Sequence, residues 1–327
     1  MATVNLNSKF NFAIPQDWTW VPTETSASRI VLNDGTFKEE FVGNFSYLGD
    51  AVSGTISSAT FSVNQVLALS MEGLQADAAI VKQYAQTAGD TQEAYAYLLS
   101  GNDTVNGSAS ADVLRAYAGA DTVNGNGGND SLAGGAGNDV LNGGSGIDTA
   151  VFSGNRAGYT VTMTGNAATV SDTAGTDGAD TLNSVERLLF ADTGLVLDIG
   201  RGANGGEMFR LYQAAFNRTP DLAGIGFWLY QMDNGVPLQA IAGAFMNSAE
   251  FRSTYGAAPT NLELMTRIYE NVLHRAPDEA GLNFYVTVLN NHAASAADVL
   301  VDLANSDENY NATINLIANG FSYTPWS

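Results

Sequence analysis

Over the first 75 residues apolar and polar positions alternate with a period near two. Phe10, Phe12 and Ile14 alternate, Trp18 and Trp20 share one side of their run, and the stretches 29–32, 37–47, 55–63 and 66–71 are rich in β-branched and aromatic residues, the composition of strands. Asn33-Asp34-Gly35 separates the first two of those stretches and predicts a hairpin turn. A small sheet is expected, with Trp18 and Trp20 in its core. From Asp77 the period lengthens to that of a helix: Asp77 is the expected N-cap, and Ala79, Ile80 and Tyr84 fall on one stripe. A second short helix over 91–99 carries Ala94, Tyr95 and Leu98, and it is expected to cover the open end of the region that follows.

That region, 101–151, has a third rhythm. Aspartate recurs every nine residues at Asp103, Asp112, Asp121, Asp130, Asp139 and Asp148, and two positions after each stands Val105, Leu114, Val123, Leu132, Leu141 or Ala150. A flexible linker rich in Gly and Asn has no reason to keep one period at both acidic and apolar positions. Glycine supplies positive-φ turns, and each turn is expected to feed a three-residue strand with its middle side chain inward. The last three repeats are fullest: Gly125-Asn-Gly-Gly-Asn-Asp130, Gly134-Gly-Ala-Gly-Asn-Asp139 and Gly143-Gly-Ser-Gly-Ile-Asp148.

These repeats resemble the RTX nonapeptide G-G-x-G-x-D-x-U-x of calcium-binding proteins. The resemblance implies a parallel β-roll of about three coils, with odd and even turns on opposite edges. Asp103, Asp121 and Asp139 would share one edge, and Asp112, Asp130 and Asp148 the other. Stacked turns about 4.8 Å apart would then offer carboxylates and carbonyls to Ca2+, a hard cation of high coordination number. The expected metal-site residues are those six aspartates with Gly119, Gly128, Gly137, Gly146, Asn129 and Asn138. The firmest pairs are Asp121 with Asp139 and Asp130 with Asp148, because the turns ending at Asp112 and Asp121 lack most of the glycines.

After Phe152 the nonapeptide register stops. Residues 159–163 and 168–171 flank Gly165-Asn166 and predict a hairpin. Gly178-Ala-Asp180-Thr-Leu182 echoes half a repeat out of phase, and the strands up to Ile199 look like a β cap. Asp177, Asp180 and Asp192 are candidates there for additional calcium ligands, and the reading preferred from the sequence is solvated turn residues. Beyond a short linker, residues 210–228 align with 267–285 at an offset of 57. Thr219-Pro220-Asp221 and Ala276-Pro277-Asp278 are expected helix starts with proline at the first helical position, and Ser248 and Ser306 begin others. Arg218 and Arg275 are expected to pair with nearby acids, and Leu211, Tyr212, Phe216, Phe227 and Trp228 to form core. This half resembles a helical domain of unknown function found C-terminal to RTX repeats. The expected class is therefore α+β and multidomain: a β-rich N-terminal domain at 1–100 ending in capping helices, the repeat roll at 101–151, a β cap at 152–200, and an all-α module with internal duplication and a secretion signal at 205–327.

Charge narrows the partners. Of 327 residues 34 are acidic and 13 basic, a net charge of −21, which opposes binding to nucleic acid or to an anionic membrane. No run reaches the roughly 18 apolar residues of a membrane span. With no cysteine, disulfides and Cys-ligated metals are excluded. The two histidines, His274 and His292, read as solvated and are too few for a protease zinc site. The chain has no H-E-x-x-H, G-x-S-x-G or P-loop motif, and Glu39 and Glu40, adjacent in a strand, would face opposite ways. No catalytic or organic-cofactor residues are expected, and the protein reads as a non-enzyme. The first ten residues lack the basic and apolar regions of a signal peptide, so the resemblance implies type I secretion to the cell surface or beyond. The expected role is structural or adhesive, with calcium driving folding, and self-association or cell-surface polysaccharide as partners. The alternative is a calcium-dependent glycan-binding or accessory module of an extracellular enzyme system.

Overall fold

The computed structural model describes residues 1–8, 21–33, 35–86, 91–173 and 175–326. The expected strands around Phe10 and Trp18, and the turn residue Asp34, lie outside them. The chain divides into two compact units, Met1–Asp192 and Thr193–Ser327.

The first unit begins with strands β1 (Thr3–Leu6), β2 (Pro22–Thr25), β3 (Arg29–Asn33), β4 (Phe37–Leu48), β5 (Ala51–Val63) and β6 (Val66–Asp77). From β2 to β6 each pairs antiparallel with the next. Their alternation puts Ile30, Phe41, Phe45, Ile56, Leu69 and Met71 on the buried face. Two helices follow, α1 (Ala78–Gln86) and α2 (Thr91–Leu98). Asp77 stands at the start of α1, its carboxylate accepting from Ala79 N–H (2.7 Å). The stripe that packs is Ala78, Val81 and Ala85, not Ala79, Ile80 and Tyr84: β6 runs straight into the helix and so fixes which face meets the sheet. In α2, Ala94, Tyr95 and Leu98 are buried as expected. Tyr95 and Leu98 border a small apolar cavity with Phe41, Phe61, Leu69 and Met71, so this face covers the N-terminal sheet.

The repeats supply β7 (Thr104–Asn106), β8 (Val113–Arg115), β9 (Thr122–Gly127), β10 (Ser131–Ala133), β11 (Val140–Ser145) and β12 (Thr149–Val151). Beyond them lie the hairpin β13 (Tyr159–Thr164) and β14 (Ala167–Asp172), then β15 (Ala179–Asn183) and β16 (Arg187–Leu189). Successive repeat strands alternate between two sheets. One holds the parallel series β1-β7-β9-β11-β15, and the other β8-β10-β12-β16. The series register is apolar on apolar: Val4, Val105, Val123, Leu141 and Leu182 in one, Leu114, Leu132, Ala150 and Leu188 in the other, none more than 1% exposed. An amide ladder runs beside the first: the Nδ2 groups of Asn106, Asn124, Asn142 and Asn183 donate in turn to the Oδ1 atoms of Asn5, Asn106, Asn124 and Asn142 (2.7–2.9 Å).

Divisions expected at residues 100 and 151 do not separate compact units. β1 pairs antiparallel with β6 and parallel with β7, so one 12-stranded sheet runs from β2 through the N-terminal strands and repeats to β13. The expected cap does not stand apart either: β15 and β16 extend the two parallel series, and the β13–β14 hairpin pairs onto β15.

The second unit holds β17 (Gly194–Val196), the helices α3 (Asn204–Phe216), α4 (Leu222–Asp233), α5 (Leu238–Met246), α6 (Ala249–Tyr255), α7 (Asn261–Val272), α8 (Glu279–Asn290), α9 (Ala296–Ala304) and α10 (Asp307–Thr313), and β18 (Phe321–Tyr323), which pairs antiparallel with β17. Helices α3 to α6 recur as α7 to α10, offset by 57 residues at α4 and α8 and by 58 at α5 and α9. Asp221 and Asp278 are themselves the N-caps, accepting from Gly224 and Gly281 N–H (2.7 and 2.8 Å). The prolines thus precede the cap and do not open the helix. Ser248 and Ser306 cap α6 and α10. Arg218 binds Glu250 and Asp221, and Arg275 repeats this with Glu308 and Asp278 (2.6 and 3.4 Å in both). Leu211 and Tyr212 are buried, with Phe216 and Trp228 packed against the same core.

Two outcomes follow from this packing. Asn124→Ala removes two ladder contacts and leaves the half-buried Asn106 and Asn142 each short of a partner, costing about 1 kcal/mol in a denaturant melt of the first unit. A fragment of residues 193–327 keeps its helical circular dichroism in chelator. Starting instead at residue 205 removes β17 and buried Val196 and lowers Tm by on the order of 10 °C; equal melting of the two fragments would refute this boundary.

Candidate metal centre

Each repeat aspartate stands immediately before its strand, where a turn delivers it to an edge of the two sheets. All six are 4% exposed or less. On one edge the N–H of Asp103 donates to Asp121 Oδ1 (2.7 Å) and that of Asp121 to Asp139 Oδ1 (2.8 Å). On the other, Asp112 donates to Asp130 and Asp130 to Asp148 (2.8 Å each). Each bond spans 18 residues, two repeats. The structure therefore groups Asp103 with Asp121 and Asp139, and Asp112 with Asp130 and Asp148.

The second carboxylate oxygen is the informative one. Oδ2 of Asp103, Asp121, Asp130, Asp139 and Asp148 is buried without a hydrogen-bond partner. An anionic oxygen removed from water and given no donor is costly, and a cation is the partner that a carboxylate without donors takes. Asp112 differs: Ser108 N–H (2.7 Å) and Oγ–H (2.9 Å) both donate to its Oδ2. The serine in this glycine-poor turn satisfies what the other turns leave open.

Around these oxygens the turns are all backbone. Gly119, Gly128, Gly137 and Gly146 have φ of 136°, 101°, 132° and 132°. A Cβ on Gly137 would collide with the Gly119 carbonyl oxygen of the turn beneath, so close stacking excludes any other residue there. Asn138 Oδ1 accepts from Ala179 N–H (2.8 Å) and Asn129 Oδ1 from Ile147 N–H (3.0 Å). These side-chain oxygens bracket one turn to the next. Among the described residues no three His, Asp or Glu side chains gather into a metal cage; the rest of a six- to eight-oxygen shell falls to turn carbonyls and water. Paired carboxylates and close-set carbonyls are donors that fit calcium.

Two acidic residues outside the nonapeptide run join the files. Asp139 N–H donates to Asp180 Oδ1, and Asp148 N–H to a Glu186 carboxylate oxygen (2.8 Å each). Asp180 is 2% exposed, which corrects its reading as a solvated turn residue. The sequence signal was present, since Gly178-Ala-Asp-Thr-Leu-Asn183 matches Gly119-Ala-Asp-Thr-Val-Asn124 at all but one position. Likewise Thr3-Val-Asn5 copies Thr104-Val-Asn106, the sign of β1 that the nine-residue pattern hides. Asp177 accepts from Tyr159 (2.6 Å), and Asp192 stays exposed at a turn, accepting from Arg156 N–H (2.8 Å). Glu39 is buried, whereas Glu40 faces Arg29 and Lys38, so the adjacent pair does point apart.

Burial pushes the carboxyls of Asp121, Asp130 and Asp180 up to about 7, and the carboxylates of neighbouring turns add to the rise. Asp139 and Asp148 shift the same way, again by burial first.

Family models separate the chain into two matched regions. The model for the RTX calcium-binding nonapeptide repeat (4 copies) matches residues 97–132 and 117–150. The chain carries an RTX calcium-binding repeat region. Ca2+ is the structural cofactor of these repeats, and the RTX region is structural, not catalytic. The model of a domain of unknown function, DUF4214, matches residues 209–250 and 242–313, and these are the duplicated helices. No curated protein matches the chain. Among solved structures, the extracellular lipase LipA from Serratia marcescens is similar over 30% of this chain and 17% of that chain, at 20% identity and a TM-score of 0.28, a likeness too slight to carry argument. No helix among the described residues is long and apolar enough to cross a membrane.

A carboxyl whose pKa rises from about 3.9 unfolded to about 7 folded holds its proton longer in the folded state. Folded stability then falls as pH climbs through that window. In metal-free buffer the RTX region should melt at a higher temperature at pH 5 than at pH 8. Saturating calcium should shrink or reverse the difference, because the ion competes with those protons. Thermal melts by circular dichroism at the two pH values check the sign.

Proposed function

We propose that this is a secreted, calcium-folded RTX protein with a structural or adhesive role at the cell surface or in the extracellular matrix. In this reading the repeats wind as a β-roll whose edges are filled by Ca2+, held by the six repeat aspartates and by carbonyls of turns that include Gly119, Gly128, Gly137 and Gly146. The observation that carries it is the set of five buried, partnerless Oδ2 atoms on stacked turns. Two carboxylates about 5 Å apart repel by roughly 3 kcal/mol at an effective dielectric constant near 20, so metal binding and folding are coupled. Export unfolded by type I secretion, followed by folding in external calcium, suits a cysteine-free chain of net charge −21.

Calcium also changes how copies meet. Each ion offsets two of the negative charges that hold chains apart. Among the described residues the 12-stranded sheet ends in β2 and β13, and sheet edges are places where further chains can pair; Leu48 and Val66 on its N-terminal strands are 87% and 65% exposed. Assembly through such edges and patches, or attachment to surface polysaccharide, is then governed by calcium.

A calcium titration followed by circular dichroism, light scattering and electron microscopy tests both parts. The β signal should appear with calcium and be lost in chelator, and Asp130→Asn should raise the calcium midpoint several-fold. Particle mass should rise over the same range. An unchanged β signal and Tm in chelator would sink the folding claim, and a monomer at millimolar calcium that binds a defined polysaccharide would replace the self-assembly claim with the glycan-binding one.

A further inference from the structure

Between Asp139 and the next acid on its edge, Asp180, the ladder bond spans 41 residues in place of 18. The difference is the 23 residues 154–176, which include the β13–β14 hairpin. They interrupt a turn in its middle. The first part, Phe152-Ser153, continues from β12, and the second part, Asp177-Gly-Ala-Asp180, enters β15. Together these six residues occupy the positions of Gly134-Gly-Ala-Gly-Asn-Asp139 one level away. The cut is sutured: Ser153 Oγ–H lies within reach of both Asp177 oxygens (3.3 and 3.4 Å), and Tyr159 O–H donates to Asp177 (2.6 Å) and accepts from Gly154 N–H (3.0 Å).

From Gly178 onward the rejoined turn reproduces its neighbours, while just before it Gly137 N–H binds the Thr176 carbonyl (3.1 Å) and Asp177 N–H turns to the Asp172 carboxylate (3.3 Å). Gly178 has a φ of 78°, and a Cβ on it would strike the Gly137 carbonyl oxygen, just as one on Gly137 would strike Gly119. Ala179 N–H binds Asn138 Oδ1 (2.8 Å), as Ala120 N–H binds Asn102 Oδ1 (2.8 Å). Asp139 Oδ2, 1% exposed as a residue, remains buried and without a hydrogen bond beside this turn. A cavity of about 380 Å3 opens here, lined by Gly134, Gly135, Ala136, Asp177 and Asp180, with room for an ion and its waters. Arg115 also lines it and is exposed. The opposite edge is different, because Glu186 is followed by Arg187, a buried guanidinium that donates to the Glu186 carbonyl (3.0 Å). That edge ends on an internal cation.

We propose that Asp180 and Asp139 hold a further calcium ion across the split turn, outside the matched repeats, with the inserted hairpin and Asp177 clamping the turn shut. This rests on the reading of the repeat aspartates as calcium ligands. The hairpin is then a decoration hung on a working repeat and leaves the count of ion sites intact.

The test counts calcium per folded chain by equilibrium dialysis and mass spectrometry of the metal, on the full-length protein. Asp180→Asn keeps an oxygen to accept the Asp139 N–H but removes the charge; it should bind one ion fewer than wild type. Asp180→Glu restores the charge and should recover that ion. If Asp180→Asn refolds poorly in calcium while Asp180→Glu folds, charge is what the site needs, and the proposal stands. An unchanged count in Asp180→Asn, with Asp121→Asn lowered, overturns it and leaves the repeat sites intact. Equal loss in Asp180→Asn and Asp180→Glu overturns it too, in favour of a shape-filling role. Wild-type protein that binds no calcium would defeat the underlying reading instead.

Discussion

The repeat region of the first unit answers to one arrangement: the carboxylates of Asp121, Asp130, Asp139 and Asp148 each accept the backbone N–H of the aspartate two repeats earlier, and the other oxygen of each is left buried without a hydrogen-bond donor. The first contact locks adjacent turns into register. The second makes that register expensive for an ionised chain, because burial and neighbouring carboxylates both favour the protonated form. Such a stack is more stable with its carboxyls protonated than ionised. In the proposed reading calcium, the structural cofactor of RTX repeats, takes the place of those protons in the ionised state.

The same register recruits elements with no nonapeptide of their own. β1 has no aspartate, yet Val4 sits over Val105 and Asn5 extends the asparagine ladder. Its other side pairs with β6, so the N-terminal sheet grows directly out of the repeat series. At the other end β15 and β16 resume both series after an insertion. An apolar residue facing its counterpart and an amide bonded to its neighbour are sufficient to continue a parallel stack; the acid matters only where the edge must hold charge.

In the DUF4214 unit, duplication plays the part that repetition plays in the first. Each half uses an arginine that lies over a tyrosine ring, Arg218 with Tyr212 (5.3 Å) and Arg275 with Tyr269 (5.2 Å), and reaches an acid at the start of the fourth helix of its half. The halves share one apolar core, running from Val196 through Met265 and Leu300 to Tyr323. The unit thus draws on this apolar core, where the repeat region of the first unit draws on stacked turns.

Period determined much of this protein before any coordinates: nine residues for the turns and their aspartates, 57 for the helical duplication, two for the N-terminal strands. Those signals are local, since each is set by side chains close in the chain meeting the same backbone geometry again. The grouping of alternate aspartates on two edges was what the resemblance to RTX repeats implied. Periodicity alone missed β1 and the return of Asp180 to the stack, both of which are marked by matching residues at irregular spacing, as well as the shift of the buried stripe in α1 and the position of the prolines outside the helix caps. The first two depend on partners far away in the chain. Asp180 looked solvated because an inserted hairpin had broken its spacing, and spacing along the chain ceases to measure distance in space once a loop can leave and return. Backbone pairing restored it: a strand edge accepts whichever segment brings a matching apolar residue and amide, at 41 residues as readily as at 18, and only the folded sheet decides which segment that is.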